Sequence, residues 1–397
     1  MLRLKDTQYQ STALFLQSAI AIAEYFGFTP LEEMPRRDPS QIREMRRRAR
    51  TNEKEISFAR KEERPLAGVA KRCALLARPS EESLLVWRIS KDTKGNVPTV
   101  SLELHIIGTQ SAIAEALLIV IANSIAREAG APERVLSINN IGSPESSGRF
   151  VRDVATFLRK HIESISATLR PRAATDPLGT LIALIERGHP VVPRSPQPME
   201  YLTEEERRKF WELLEYLEMF GLPYELSPSV LGSRDCWAHS LFQISVIDPE
   251  SHSRVPIAFG GRYDPLAARF AAAPLPASMI AITCEIRGKV RVKREPMATP
   301  SIYFAHLGAE ARRRSLSVLE SLREAGIPVR HGLYHERIGE QMAAARRHAA
   351  PCVLIMGHKE AVEGTILVRE VATNSQDAIP LPELTGYLKR RRFASVA

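Results

Sequence analysis

Cysteine is scarce and scattered. The four in the chain, Cys73, Cys236, Cys284 and Cys352, form no C-x-x-C pair. That spacing argues against a zinc ribbon or a thioredoxin-type centre and points to reduced thiols used for packing. No apolar run reaches the roughly 18 residues of a spanning helix. The opening MLRLKDTQYQ has no secretory pattern, and the apolar stretch behind it is cut by Gln17, Glu24 and Gly27, so a cytoplasmic protein with no membrane partner is expected. Internal repeats and low-complexity tracts are absent too. The nearest approach to a metal pair, His331 and His335 in HGLYH, lacks a third ligand nearby and reads as a surface or loop pair, so no metal site is expected.

What is present is ordinary globular material, 44% hydrophobic and 25% charged. At 397 residues the chain exceeds what one core usually organises, so two domains are expected. The formal net charge of +9 and a pI near 9.5 suit a polyanionic partner, although a merely basic soluble protein has the same balance.

Residues 11–28 repeat apolar side chains at helical spacing and stop at Gly27, with a strand entry near Pro30 to Pro35. The segment 36–64 carries a basic cluster at Arg46, Arg47, Arg48 and Arg50, read as a solvated face or loop with RNA contact as the lesser alternative. SLLVWRIS (83–90) and TVSLELHIIG (99–108), joined by KDTKGNVP, read as an antiparallel hairpin. Residues 111–130 read as a helix ending at Gly130, and VLSINNIG (135–142) as a strand. FVRDVATFLRKHIESISATL reads as helical again, and 171–202 is rich in proline and irregular. Thr203 and Glu206 form a capping box ahead of a helix with Phe210, Leu213, Leu214, Leu217 and Phe220 on one face, closed by Gly221. YELSPSVLG and HSLFQISVID read as two strands, and PIAFGGRYDPLAARF (256–270) as the next strand edge. From residue 300 onward strand and helix alternate with short loops, the pattern of a parallel or mixed open sheet.

The order of these pieces resembles the histidyl-tRNA synthetases, class II aminoacyl-tRNA synthetases. FGFTPLEEMP is similar to the family's first motif, and LHIIG, AEALLI and SINNIG to the strand, helix and strand after its second. LLEYLEMFGLPYELSPSVLGSRDCWAHSLFQI and FGGRYD are similar to its two histidine-specific motifs. SIYFAHLG, LESLREAGIPV, VLIMGHKEAVEGTILVREV and PLPELTGYLK resemble its anticodon-binding domain, which counts against the related regulatory subunit of ATP phosphoribosyltransferase.

The resemblance implies an α+β chain. An antiparallel class II synthetase sheet flanked by helices would occupy residues 1–295, with a helical or irregular insertion at about 165–221. A mixed-sheet α/β anticodon-binding-like domain would follow at 300–390, then a basic tail at 391–397 that continues Lys389, Arg390, Arg391 and Arg392. It also implies tRNA or other RNA as partner, a homodimer, and ATP with magnesium as reaction partners if the protein is active, with no tightly bound cofactor.

Several positions depart from the family pattern. The family's R-P-E-G-T reads Arg64, Pro65, Leu66, Ala67, Gly68, which replaces a substrate-holding carboxylate. The glutamate before I-I-G is His105, unless a two-residue slip lets Glu103 serve. The catalytic arginine of R-G-L-D-Y-Y is Gly232, its aspartate is kept as Asp235, and the tyrosine pair is Cys236 and Trp237. The third motif's G-L-E-R reads Thr283, Cys284, Glu285, Ile286, with Arg287 one place late and so on the opposite strand face.

Arg88 stands at the position of the second motif's arginine in that resemblance, so the ATP-binding candidates are Arg88 and Arg287. The amino-acid-pocket candidates are Asp235, Gly260, Gly261, Arg262, Tyr263 and Asp264, with the two glycines letting backbone approach the bound amino acid. Losing one donor aimed at developing charge costs about a hundred to a thousandfold in rate. The expectation is a synthetase paralogue that binds tRNA or RNA and ligates histidine weakly or not at all. The alternatives are a working histidine-tRNA ligase with rearranged residues and a non-catalytic regulatory or interaction protein.

Overall fold

The computed structural model describes residues 1–40, 42–43, 56, 58–59, 63–76, 83–93, 97–131, 133–248, 251–271, 274–294, 300–335 and 337–391. The Arg46 to Arg50 cluster, the expected domain boundary near 296 and the tail from Arg392 lie outside the described residues.

In chain order the first part contains α1 (Thr12–Tyr25), β1 (Thr29–Pro30), α2 (Glu63–Ala74), β2 (Leu84–Asp92), β3 (Thr99–Ile107), α3 (Ile113–Glu128), β4 (Arg134–Asn140) and α4 (Pro144–Lys160). There follow α5 (Arg170–Thr175), α6 (Pro177–Glu186), α7 (Glu204–Phe220), β5 (Glu225–Leu226), β6 (Ala238–Ile247), β7 (Arg254–Arg262), α8 (Asp264–Phe270) and β8 (Ala277–Glu285). The eight strands form one sheet in the order β1-β2-β3-β8-β7-β6-β4-β5. Its inner pairs are antiparallel, and only the short β1 and β5 pair in parallel at the two edges.

The two faces of this sheet differ because side chains alternate along a strand. Leu102, Leu104, Ile280, Ile282, Phe242, Ile244 and Ile138 pack with α3, which is buried along nearly its whole length. The residues between them, Arg88, Ser101, Glu103, His105, Thr283 and Gln243, turn the other way and make a polar face. At one end, the second core of α2, α4, α6, Trp237 and Tyr263 covers this face.

The second part contains β9 (Ile302–His306), α9 (Ala309–Glu324), β10 (Val329–His331), α10 (Ile338–Arg347), β11 (Cys352–Met356), α11 (His358–Glu363), β12 (Thr365–Glu370), β13 (Gln376–Pro380) and α12 (Leu381–Arg390). Its five strands run β10-β9-β11-β12-β13, with parallel and antiparallel pairs mixed. This part packs directly on the first. Buried Glu320 of α9 accepts from Ser124 Oγ at 2.6 Å and Arg127 at 2.7 Å, both on α3, and the Tyr25 hydroxyl donates to Ile327 O at 2.9 Å.

The Thr203–Glu206 capping box is formed, and Gly221 closes α7 in the left-handed region at φ 77°. The expected strand over YELSPSVLG shrinks to Glu225–Leu226, because the prolines and serines around it offer no continuous ladder. β13, over QDAIP, carried no apolar alternation strong enough to signal it. Among the described residues no helix is long and apolar enough to cross a membrane, and no group of three or more His, Cys, Asp or Glu could hold a metal ion. All four cysteines are free and buried. Burial pushes Cys73, Cys284 and Cys352 each up to about 12, so none is a ready nucleophile.

Candidate functional site

The covered end of the polar face gathers most of the sequence-derived candidates. β7 delivers Gly260, Gly261 and Arg262 at its end, Tyr263 follows, and Asp264 opens α8. A turn at Ser233–Trp237 lies before β6, closed by Trp237 N donating to Ser233 O at 2.8 Å.

The two glycines are required by the sheet itself. A Cβ on Gly260 would lie 2.2 Å from Met279 O of β8, and one on Gly261 would lie 2.6 Å from Ser240 O of β6. Neighbouring strands therefore explain both positions, where the sequence pointed to a ligand's approach.

Arg262 is 4% exposed and its guanidinium is consumed internally. It reaches Glu115 Oε2 at 3.0 Å, Asp264 Oδ2 at 3.2 Å and Thr109 O at 2.9 Å. Burial opposes the charge, but Glu115 and Asp264 outweigh it and hold the arginine's pKa above its ordinary value. Asp264 Oδ1 also accepts from Ala277 N at 2.7 Å. Asp235 pairs with Arg269 at 3.1 Å.

Tyr263 is fully buried, and burial raises its pKa well above the usual value. Its hydroxyl meets His105 Nδ1 at 3.1 Å, His105 Nε2 lies 3.4 Å from Glu103 Oε2, and Arg88 Nε lies 3.3 Å from the same oxygen. Burial pushes the Glu103 carboxyl upward, yet hydrogen bonding and charge from His105, with Arg88 behind them, leave it below its ordinary range. Glu103 and His105 thus share one face and one chain of contacts, so a register slip is unnecessary for both to belong to the site. Arg88, half-buried, is the end of this chain nearest solvent.

Two residues that sequence reasoning did not single out as functional shape the pocket. Glu63, 1% exposed at the start of α2, accepts from Ala59 N at 2.6 Å, Ser233 N at 2.7 Å and Trp237 Nε1 at 3.1 Å. A Cβ on Gly232 would lie 2.4 Å from Trp237 Cδ1 and 3.0 Å from Glu63 Oε1. The indole and the carboxylate therefore fill the space beside Gly232. No spacing rule flags Glu63, since it precedes the R-P pair rather than replacing the lost glutamate. Leu66, at that lost position, is 4% exposed and packs in the second core.

His239 was also missed. It sits in a β-bulge of β6 with φ 55°, a backbone shape uncommon for a non-glycine residue. Burial lowers its pKa, with Asp264, Arg262 and Glu115 among the charges acting on it.

Arg287 stands apart from these groups. β8 ends at Glu285, so strand alternation does not reach it, and its Nε pairs with Glu285 at 3.0 Å. Ser278 is the partner of Arg262 in the ladder, and from there the strand runs roughly 24 Å to Glu285. The structure therefore separates Arg287 from the amino-acid-pocket candidates.

Residues 302–391 match the family described as Anticodon binding domain. The chain is 26% identical over 294 residues to a histidine–tRNA ligase of Synechococcus sp. (strain JA-3-3Ab), spanning 73% of this chain and 70% of that protein. It is 27% identical over 291 residues to a histidine–tRNA ligase of Bacillus velezensis, spanning 72% and 68%. The chain is a relative of the histidyl-tRNA synthetases. An apo histidyl-tRNA synthetase from S. aureus aligns with this synthetase relative over 95% of each chain at 16% identity, with a TM-score of 0.48.

Proposed function

We propose that this synthetase relative binds tRNA or another RNA and activates histidine weakly or not at all. Residues 1–295 would retain the class II scaffold, and 300–390 would supply the anticodon-binding-like unit. The observation that carries this reading is the space beside Gly232, taken by Trp237 and Glu63, with a Cβ at Gly232 only 2.4 Å from the indole. An arginine side chain there would require Trp237 to leave its hydrogen bond to Glu63. The remaining polar groups point the same way, because Arg262 is paired with Asp264 and Glu115, and Tyr263, His105 and Glu103 form a second internal chain. A site built to hydrogen-bond its substrate loses on the order of ten-thousandfold when that pairing is absent.

Arg88 favours a second reading, a working ligase, since it stands at the second motif's arginine position and is 24% exposed. On that reading ATP is a substrate, magnesium accompanies its phosphates, and Arg88 meets phosphate. The RNA half of the proposal is tested by gel shift with bulk tRNA over a salt series. Binding at about 50 mM salt that weakens steeply by about 200 mM is expected for a phosphate-dominated contact. No shift at the low end overturns it.

A further inference from the structure

A groove of about 490 Å³ is bounded by α4, the start of α6 and the turn before β6, within the range of small-molecule sites. None of the polar groups described for the synthetase-like site lines it.

Its charge is one-sided. Arg149, Arg152 and Arg234 line it against a single carboxylate, Glu145. Arg149 is half-buried and donates to Ser146 Oγ at 3.2 Å and Tyr201 O at 2.7 Å. Both acceptors are neutral, so they fix its position without cancelling its charge. Arg152 and Arg234 are exposed, and among the described residues neither guanidinium has a hydrogen bond or ion pair. The acidic side chains nearest to them in the chain are already engaged elsewhere. Asp153 accepts from the Tyr201 hydroxyl at 2.7 Å, Asp176 pairs with Arg172 at 2.7 Å, and Asp235 pairs with Arg269 at 3.1 Å. Gly148, Val151 and Ala155, on one face of α4, also line the groove and offer the arginines no partner.

Gly148 makes room for one of these cations. It is a buried glycine inside a helix, where glycine weakens the structure. A Cβ there would lie 3.6 Å from Arg234 Nη2, an ordinary contact, so the fold alone would accept alanine. A longer side chain would push the guanidinium out of the groove. Guanidinium groups match the oxygens of phosphate in charge and in forked geometry. We propose that this groove binds a phosphate group, with Arg152 and Arg234 as its direct ligands and Arg149 adding charge to the wall. The proposal does not rest on the RNA reading, because a free organic phosphate and a nucleic-acid backbone present the same chemistry.

The test is calorimetric titration of the full chain with pyrophosphate in magnesium-free buffer. Saturable binding below about 10 mM is expected. The Arg152→Ala/Arg234→Ala double variant should weaken it by about tenfold or more. Its melting temperature should not change, since both side chains are exposed and unpaired. Arg208→Ala, which removes an exposed arginine of α7 outside the groove, should leave binding within about twofold. Displacement by bulk tRNA would assign the phosphate to RNA, and failure to displace would assign it to the free pool; both keep the groove as the site. Three results overturn the proposal: no saturable binding up to about 10 mM, binding kept in the double variant, or an equal loss in Arg208→Ala, which would mark diffuse surface charge.

Discussion

The indole N–H of Trp237 donates to Glu63 Oε1 at 3.1 Å, and the same carboxylate holds the backbone N–H groups of Ala59 and Ser233. One buried side chain thus ties the start of α2 to the turn before β6. Glu63→Ala leaves three donors without this acceptor. It should cost on the order of 3 kcal/mol or more, read as a lowered urea midpoint at constant slope. Glu63→Gln, which keeps an acceptor oxygen, should cost clearly less.

Glycine substitutions separate steric need from ligand need. Gly260→Ala drives a methyl to 2.2 Å from Met279 O and should destabilise by roughly 3 kcal/mol without any ligand present. Gly68, exposed on α2 with nothing within 4 Å of its would-be Cβ, should do the reverse. Gly68→Ala is expected to stabilise by about 0.5 to 1 kcal/mol. Chemical denaturation of the two variants side by side checks both signs.

Much of the architecture was legible because periodicity, caps and turn chemistry agreed locally. The helical pattern before Gly27, the Thr203–Glu206 box and the antiparallel pairing of β2 with β3 all lie where spacing placed them. The site was less legible, for a physical reason. A motif names residues in a line, whereas their roles depend on what faces them across strands. The sequence could list Gly260, Gly261 and Arg262, but only the close backbone oxygens of Met279 and Ser240 and the ion partner Glu115 disclose their internal use. Glu63 carried no periodic or motif signal at all. Arg287 misled for a simpler cause, since β8 ends before it.

The contact between the two parts of the chain depends on Glu320, which is 4% exposed and accepts from Ser124, Arg127 and Arg323. Burial opposes its charge, but Arg323 and Ser124 hold its carboxyl below the ordinary range. Glu320→Ala takes one carboxylate from Arg127 and Arg323, which keep Glu324 and Glu128, and leaves Ser124 Oγ without its acceptor, so it should cost about 1 to 3 kcal/mol. Calorimetry should show the single unfolding transition broaden or split as the two parts lose their coupling.

Acid should weaken the second part through two histidines. Burial lowers both His306 and His331 to about 4, whereas the unfolded chain titrates near 6.5. The unfolded state therefore binds more protons between these values. The contribution is fully present above pH about 6.5 and is lost as pH falls toward 4, at up to about 1.4 kcal/mol per pH unit for each histidine. His331→Gln, whose amide can replace the donor to Phe26 O, should roughly halve the fall in melting temperature between pH 7 and 5.

ATP–pyrophosphate exchange with histidine tests the central claim most directly, because it reads adenylate formation, the step the proposed function expects to be weak or absent. Measured beside an active histidyl-tRNA synthetase, this protein should exchange at least about a thousandfold more slowly. Histidine-dependent exchange within about tenfold of the active enzyme would contradict the account.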